Sequence, residues 1–347
     1  MSWLAVLALW AVAASVYVSP AVYGKYIAVV GLTFPFCAAA VGAMGVLCLL
    51  IKPRLAWIAV VGLLGCMGTV RDYFPINLTS PPPKQAFKVM SYNTLNMGNF
   101  LMDDNGRDLA VMRYVCSQQP TIACLQEFGA RSNEELEKVK GTARRYGLHL
   151  DVAQVGTSRV AVLSKWPIAR KEVICHSVGN GAAAFYVVPR HADTIIVVNA
   201  HLESMHLEPK ERANFSKMVH HLEAADTIRG KFTIIRKIAH GGAIRACQAD
   251  TLAQFIERNR NRKLILMGDF NDTPVSYAHH TVCSRLTDCY RATANGLGRS
   301  FNRNAMYVRI DHLFCSSHFK PYAVSVDQGV PFSDHYPLVG YLKEEGH

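Results

Sequence analysis

The first 79 residues consist mainly of three long apolar runs, and none of these runs contains a charged residue. Residues 1–24, 26–51 and 55–70 contain no Asp, Glu, Lys or Arg. A helix needs about 20 apolar residues to cross a bilayer, so the second run is long enough, the first is adequate and the third is short. The pattern predicts three membrane spans, joined at Gly24-Lys25 and at Lys52-Pro53-Arg54.

Two other interpretations of these runs stay open from the residues alone. The first run could be a cleaved signal peptide, although Met1-Ser2-Trp3 lacks the basic start that is typical of one. The third run could be a buried core helix. The second run is apolar on every face and unusually long, which favours a membrane span over a core helix.

The side of the membrane is weakly specified. Lys52 and Arg54 favour a cytoplasmic position for their connection, which would place the rest of the chain outside. Arg71, Lys84 and Lys88 favour the opposite orientation. We expect a multi-pass membrane protein whose large domain is extracytoplasmic.

A proline run then separates the apolar region from a chain of different pattern. Residues 80–85 hold three consecutive prolines, which form a stiff, extended spacer. We therefore divide the chain into a membrane anchor at 1–79, a linker at 80–85 and a folded domain at 86–347.

The folded domain mixes strand and helix patterns. Alternating or wholly apolar segments predict strands at 87–95, 122–126, 160–164, 183–188, 194–200, 264–267, 309–314 and 322–326. Apolar stripes at helical spacing predict helices at 107–118, 208–225 and 243–257. Strands that outnumber and mix with helices predict an α/β fold of two packed sheets with helices outside.

Net charge and cysteine content exclude few classes of function. Five basic residues and one acid give +4 on residues 1–85, so +7 of the total of +11 falls on 86–347. A basic domain favours an anionic partner, without choosing among nucleic acid, phospholipid headgroups and phosphorylated small molecules. The ten cysteines form no CxxC pair, which excludes zinc-ribbon spacing.

Carboxylates stand where predicted strands end. Glu127, Asp269, Asp311 and Asp334 all occupy such positions. Bringing carboxylates together is costly unless a cation neutralises them. Oxygen ligands suit Mg²⁺, Mn²⁺ or Ca²⁺ and not zinc, so the pattern predicts a site for such an ion, with Mg²⁺ expected and Mn²⁺ as the alternative.

Imidazole and amide groups complete this set. His201 and His335 can transfer protons near neutral pH, and nearby amides can stabilise a crowded anionic transition state. With a metal that polarises a phosphoryl oxygen, they predict phosphoester hydrolysis. Each motif alone has an ordinary structural explanation, such as a turn at residues 268–271. Their shared placement at strand ends favours one common site.

Five segments, in chain order, resemble a known family: residues 91–96 (SYNTLN), 125–127 (LQE), 199–204 (NAHLES), 267–274 (MGDFNDTP), and 309–312 (RIDH) with 333–337 (SDHYP). Over residues 86–345 the chain resembles the endonuclease/exonuclease/phosphatase superfamily, the DNase-I-like fold. The resemblance implies a four-layer αββα sandwich with one active site at the edge of its two sheets. The apolar runs, with DFNDTPVSY at 269–277, also resemble a membrane-attached bacterial branch.

The resemblance also implies roles for individual side chains. Glu127 resembles the metal-binding glutamate, Asn93 the asparagine that positions it and the metal, and Asp334 the neighbouring metal-side aspartate. His335 resembles the catalytic histidine, and Asp311 resembles the carboxylate that orients it.

Further roles concern the substrate. Asp269 and Asn271 resemble the pair that orients the nucleophile and contacts the phosphate. His201 resembles a second histidine that binds the phosphate or protonates the leaving group. Asn199 and Arg245 are candidates for substrate binding, although structural support is an alternative role for Asn199.

Together these observations predict a membrane-anchored, divalent-metal-dependent phosphoester hydrolase. Phosphodiesterase, nuclease and phosphatase activities stay open, as do nucleic acid, phospholipid and nucleotide substrates. The lipid bilayer is the other expected partner, and no protein partner is evident. The alternative is a non-catalytic membrane receptor or scaffold on the same fold. Such relatives lose a metal carboxylate or the base, whereas Glu127, Asp269, Asp311 and His335 are all present.

Overall fold

The structure is a computed structural model that describes residues 2–190, 192–205, 207, 211, 228–303 and 306–345. An N-terminal helical bundle packs against an α/β domain. The bundle contains α1 Ser2–Ala14, α2 Pro20–Tyr23, α3 Ile27–Val30, α4 Phe34–Ile51, α5 Ala56–Leu64 and α6 Met67–Tyr73. Short 3₁₀ turns extend it at Ser15–Tyr17, Gly31–Thr33 and Pro53–Leu55.

The described helices differ in their capacity to cross a membrane. Only Ile27–Ile51 is long and apolar enough by itself, with 25 residues and a mean hydropathy of 2.3. Pro53–Leu64 and Met67–Tyr73 qualify as one span only if they are taken together across a 68° bend, and Ser2–Tyr17 is shorter. Length and composition thus support one or two spans among the described residues, and the expected three spans stay a prediction.

Two six-stranded sheets form the centre of the α/β domain, and in both the strands are mixed in direction. The first sheet has the order β13-β14-β1-β2-β4-β3, and the second has the order β5-β6-β7-β8-β12-β9. The first contains β1 Phe87–Asn93, β2 Ile122–Gln126, β3 His149–Val155, β4 Ser158–Ser164, β13 Phe319–Val326 and β14 Leu338–Glu344. The second contains β5 Ile168–His176, β6 Gly181–Val187, β7 Ile195–His201, β8 Leu264–Asp269, β9 Thr287–Asp288 and β12 Asp311–Cys315. A separate ribbon pairs β10 Phe301–Arg303 with β11 Met306–Val308.

Helices cover the outer faces of both sheets. They are α7 Leu95–Asn99, α8 Ala110–Ser117, α9 Asn133–Arg145, α10 Ile228–Arg258 and α11 Tyr277–Cys283. The short α12 Cys289–Thr293 packs instead into the apolar core between the sheets. One apolar core lies between the sheets, with Val89 and Val197 among its buried residues. A second joins the first sheet to α8 and α9, and a third joins the second sheet to α10 and α11. These layers confirm the predicted αββα sandwich.

Most predicted strands are present, with shifted ends. The helix predicted at 107–118 is α8, and the helix predicted at 243–257 is the second half of the longer α10. The helix predicted at 208–225 falls, except for Glu211, outside the described residues. The sequence patterns missed β3, β5, β14 and α9, together with the short elements β9, β10, β11, α7, α11 and α12. Most side chains of β5 are exposed, so this strand shows no apolar period. α9 does carry helix signals, because Ser132 caps it and Val139, Thr142 and Ala143 form a buried stripe.

The bundle meets the domain through close backbone approaches. A Cβ atom added at Gly31 would lie 2.3 Å from the carbonyl oxygen of Val275, so only glycine permits this contact. The Tyr17 ring packs edge-on against His280, with ring centroids 4.5 Å apart. Lys52 and Arg54 follow α4, whereas Gly31, which meets the domain, precedes it.

Candidate active site

Each sheet has one pair of parallel strands, and these pairs place polar side chains together. In the first sheet β1 and β2 are parallel, with Asn93 opposite Gln126, the residue before Glu127. In the second sheet β7 and β8 are parallel, with His201 opposite Asp269. Because the carboxyl ends of parallel strands meet at one edge of a sheet, four predicted site residues reach the same end of the sandwich.

The Asn93 amide connects carboxylates that come from the two sheets. Its Nδ2 donates to Oε1 of Glu127 at 3.2 Å and to Oδ2 of Asp269 at 3.0 Å. Its Oδ1 accepts a hydrogen bond from the backbone N–H of Leu95. Asn93 is buried, so its amide holds both carboxylates in a defined position.

Unusual backbone conformations occur around these carboxylates. Glu127 and Asn271 have φ angles of 48° and 50°, in the left-handed region that non-glycine residues rarely adopt. Gly268 has φ 152°, and a Cβ atom there would lie 1.8 Å from the Ala200 carbonyl oxygen. Such strained positions persist where the surrounding structure enforces them, and they are common at functional sites.

His335 and Asp311 form a buried pair across the two sheets. His335 Nδ1 lies 2.8 Å from Asp311 Oδ2, which leaves Nε2 as the ring nitrogen not bound to this carboxylate. Burial alone would lower the pKa of His335. The carboxylates of Asp311, Asp269 and Asp334 outweigh it and raise this pKa to about 10. The field around the imidazole is therefore strongly negative.

Asp269 lies between the two histidines. Its Oδ2 is 3.6 Å from His335 Nε2 and 3.8 Å from His201 Nε2, and its Oδ1 accepts a 2.7 Å hydrogen bond from the backbone N–H of Asn271. Burial, together with the charge of Asp311, raises the pKa of Asp269, whereas the two histidines lower it.

Two residues that the sequence patterns missed hold the His201 ring. Ser158 Oγ lies 3.3 Å from Nδ1, and Asn180 Nδ2 lies 3.3 Å from Nε2. An amide N–H donates, so in this arrangement Nε2 accepts and Nδ1 carries the proton. Burial lowers the pKa of His201, which favours this neutral form. Asn180 stands between two glycines, and that pattern indicates only a turn.

These side chains open into one cleft of about 340 Å³, here called the active-site cleft. Its walls include Glu127, His201, Asp269, Asn271, Asp334 and His335. None of the described residues that line it is Lys or Arg. Its ionisable lining is therefore acidic, apart from the two histidines.

This donor set fits a divalent cation. Ligand atoms of Asp269, Asp311 and His335 lie within 4.8 Å of one another, which is close enough to hold a metal ion. Asp311, however, is already paired with His335 through the hydrogen bond described above. Glu127 is partly exposed and faces the cleft, so its free oxygen is better placed to accept a cation. Oxygen donors in a negative field match the preferences of Mg²⁺ and Mn²⁺.

Two residues predicted to bind substrate do not line the cleft. Asn199 is fully buried between the sheets, where Nδ2 donates to the carbonyl oxygens of Leu125 and Ala161. Arg245 is also buried, and its guanidinium binds Asp272 Oδ2 at 2.9 Å and the Glu203 carbonyl oxygen at 3.0 Å. Their hydrogen bonds are made within the protein, which indicates that both support the structure of the site.

Comparisons with known proteins agree with this architecture. Residues 90–335 match the model of the endonuclease/exonuclease/phosphatase family. Residues 1–73 match a second model, described as a domain of unknown function. No curated protein sequence matches the chain.

Solved structures of the same fold have low sequence identity to the chain. A Bacteroides thetaiotaomicron endonuclease/exonuclease/phosphatase family protein is 17% identical, with a TM-score of 0.51 over 77% of this chain and 100% of its own. The human Nocturnin catalytic domain, with bound sulfate, is 14% identical, with a TM-score of 0.53 over 78% and 97%. A Neisseria 3′ phosphatase, NExo, bound to a product DNA hairpin is 17% identical, with a TM-score of 0.50 over 75% and 100%. At such identities the similarity shows a shared fold alone.

Proposed function

The chain belongs to the endonuclease/exonuclease/phosphatase family, and from this premise we propose that it is a membrane-anchored, divalent-metal-dependent phosphoester hydrolase. The main support is the convergence of Glu127, Asp269 and the His335–Asp311 pair on one cleft. A relative that had become only a receptor or scaffold would have no need to keep this complete set of residues.

The metal would be held on the first-sheet side of the cleft. Glu127 and Asp334 supply carboxylate oxygens there, and Asn93 fixes the Glu127 carboxylate. When bound, Mg²⁺ or Mn²⁺ polarises a phosphoryl oxygen and offsets the charge that builds up during attack by water.

Proton transfer is assigned to the histidine pair. Asp311 holds Nδ1 of His335. The carboxylates that raise the pKa of this ring keep it protonated without a cation. A bound cation would offset their charge, so that Nε2 can exchange a proton with the attacking water or with the leaving oxygen. Asp269, which lies beside Nε2, orients the reacting water. His201, fixed by Ser158 and Asn180, has its Nε2 3.8 Å from both Glu127 Oε1 and Asp269 Oδ2. Asn271 lines the same cleft, so both residues can contact the phosphate.

The test uses the purified full-length chain in detergent. Bis(p-nitrophenyl) phosphate and p-nitrophenyl phosphate are supplied with Mg²⁺, with Mn²⁺, or with a chelator. We expect turnover of at least one ester that the chelator abolishes, and His335→Ala should lower kcat by about 10²–10⁴. His149→Ala, an exposed histidine on β3, is the matched control. Folded protein with no turnover, or full activity in His335→Ala, would refute the proposal and favour the non-catalytic alternative.

We further propose that the N-terminal bundle is the membrane anchor. Many of its large apolar side chains are exposed, among them Leu4, Phe36 and Leu50. The Trp3 and Trp57 rings are in contact, and Trp57 follows Lys52 and Arg54 in the chain. Tyr17, Tyr23 and Tyr26 are exposed at the end that meets the domain. Aromatic residues at both ends of an apolar bundle are typical of the two membrane–water interfaces.

The positions of Lys52 and Arg54 also bear on which side of the membrane the catalytic domain occupies. Both residues follow α4, at the opposite end of this helix from Gly31, which meets the domain. The positive-inside rule would place Lys52 and Arg54 in the cytoplasm. We therefore propose an extracytoplasmic catalytic domain. Cys247 is exposed on α10, so a membrane-impermeant maleimide should label it in intact bacterial spheroplasts, and Cys247→Ser should lose that label. Labelling only after permeabilisation would place the domain inside.

A further inference from the structure

The first half of α10 packs against the bundle beside the active-site cleft. Ile234 and Ile238 of this helix are buried in a small apolar cluster that also contains Leu207. Val29 and Leu32, from the segment that leads into α4, pack against the same cluster. The approach is close, since a Cβ atom on Gly242 would lie 2.2 Å from that of Ala28.

The same cluster forms one wall of the cleft. Met205 and Leu207 pack with Val29 and Leu32, and both also line the active-site cleft. A single layer of apolar side chains therefore separates the reacting groups from the bundle. The bundle therefore supports one wall of the cleft, in addition to its proposed role as the membrane anchor.

The rest of the cleft lining is divided in character. The lining contains carboxylates, amides and histidines, and it also contains apolar side chains: Leu95, Met205, Leu207, Phe301, Val308 and Ile310. A nuclease needs Lys or Arg to contact the phosphate backbone. The described lining contains neither, and Arg303 beside it is paired with Asp334 at 3.6 Å. A cleft that offers both polar and apolar groups suits an amphiphile.

The position of this wall relative to the bilayer follows from its neighbours in the chain. Tyr23 and Tyr26 are exposed and flank Lys25, just before Val29. Tyrosine and lysine at the end of an apolar segment mark the headgroup region of a membrane. Val29 and Leu32 are only a few residues further along the chain, so the cleft wall lies near headgroup depth.

We propose that the substrate is a phosphoester in the headgroup of a membrane lipid. The apolar part of that lipid lies along the wall formed by Met205 and Leu207. This inference rests on the hydrolase function proposed above. In the reaction, the oxygen of water forms a bond to phosphorus and one phosphorus–oxygen ester bond breaks. One proton of the water goes to His335 Nε2, and the leaving oxygen takes up a proton to become an alcohol.

The experiment reconstitutes the full-length chain in phosphatidylcholine vesicles that contain phosphatidylglycerol or phosphatidylethanolamine, with Mg²⁺. Parallel reactions receive the deacylated glycerophosphodiesters, a single-stranded oligonucleotide, or bis(p-nitrophenyl) phosphate. We expect cleavage of at least one vesicle lipid at a rate about tenfold or more above its deacylated form, because only the lipid contacts the apolar wall.

A variant tests the wall itself. Leu207→Ser should lower the ratio of lipid turnover to bis(p-nitrophenyl) phosphate turnover by about tenfold. Tyr146→Ser, at an exposed aromatic position after α9, should keep the wild-type ratio. Thermal unfolding of each variant shows whether it is folded.

The outcomes separate the two proposals. Chelator-sensitive cleavage of bis(p-nitrophenyl) phosphate combined with a preference for the oligonucleotide or the deacylated esters overturns the lipid assignment and leaves the hydrolase function standing. An unchanged ratio in folded Leu207→Ser also overturns it. Absence of turnover on every substrate overturns both.

Discussion

His335 Nδ1 and Asp311 Oδ2 lie 2.8 Å apart, although Asp311 is in the second sheet and His335 leads into a strand of the first. Asp311 begins β12 of the second sheet, and His335 precedes β14 of the first. The hydrogen bond fixes the imidazole ring and leaves Nε2 for proton transfer. The proposed catalytic base is therefore assembled only when the two sheets are packed together.

Replacement of this carboxylate should affect the chemical step. Asp311→Asn keeps the side-chain shape but cannot stabilise a protonated imidazole. We expect kcat on bis(p-nitrophenyl) phosphate to fall by about 10²–10⁴ with little change in KM. Asp151→Asn, on β3 and paired with Lys171, is the control. A kcat for Asp311→Asn close to that of the wild type would contradict the assigned pairing.

The metal assignment predicts a change in Mg²⁺ dependence. Glu127→Gln removes one negative charge from the cleft and leaves the Asn93 contact possible. The Mg²⁺ concentration that gives half-maximal activity should rise by about 10–100-fold, measured by titration of the metal. Glu134→Gln, at an exposed position on α9, should behave like the wild type. Equal Mg²⁺ dependence in both variants would exclude Glu127 as a ligand.

Gly268 should tolerate no side chain. A Cβ atom there would lie 1.8 Å from the Ala200 carbonyl oxygen, which forces β7 and β8 apart. We expect Gly268→Ala to lose at least the ~1–3 kcal/mol typical of overpacking, seen as a lower Tm or as a failure to fold. At Gly141, in α9, a Cβ atom would meet nothing within 4 Å. Gly141→Ala should therefore leave the Tm unchanged or raise it, because the free energy of unfolding should gain up to ~1 kcal/mol.

The buried Asp288–His279 pair predicts a pH-dependent effect on stability. Oδ2 and Nε2 lie 3.1 Å apart, and both side chains are almost wholly buried. Burial would raise the pKa of Asp288, but the His279 hydrogen bond and charge, together with Arg309 and His312, lower it well below its ordinary value. The ionised carboxylate therefore stabilises the fold above its unfolded pKa of about 3.9, and this contribution is lost as the pH falls further.

Asp288→Asn removes the buried negative charge that faces His279 and Arg309, and it should cost about 3–5 kcal/mol at neutral pH. The difference in Tm from the wild type should shrink below about pH 4. Asp104→Asn, at an exposed position, provides the baseline. A Tm difference that grows on acidification would show that the sign is wrong.

The fold was predictable where side-chain patterns are strong. β1, β2, β7 and β8 are rich in apolar residues and end in polar motifs, and these four strands hold most of the site. β5 was missed because most of its side chains are exposed and show no apolar period. α9 and the left-handed turn of α7 did carry signals: Ser132 caps α9, and Asn96, Gly98 and Asn99 are residue types that adopt positive φ. These signals are short and local, so they do not by themselves reveal how the segments pack.

The site was predictable in its ionisable residues but less so in its supporting ones. Asn199 and His201 are two positions apart on β7, so both point to the same face. His201 at the strand end reaches the cleft, whereas Asn199 lies about 6–7 Å deeper, between the sheets. The alternation of side chains along a strand predicts which face of the sheet a residue occupies. Whether that residue meets solvent depends on how far the opposing sheet extends along the strand. Asn180 reaches His201 from another strand end, which spacing alone cannot show.

The buried position of Asn199 has a consequence for thermal behaviour. This one amide of the second sheet hydrogen-bonds to Leu125, Gln126 and Ala161 of the first. A shift of one sheet relative to the other by one residue would break these bonds and separate His335 from Asp311. The hydrogen bonds within each sheet could survive such a shift. Inactivation on heating should therefore precede the loss of β structure in circular dichroism.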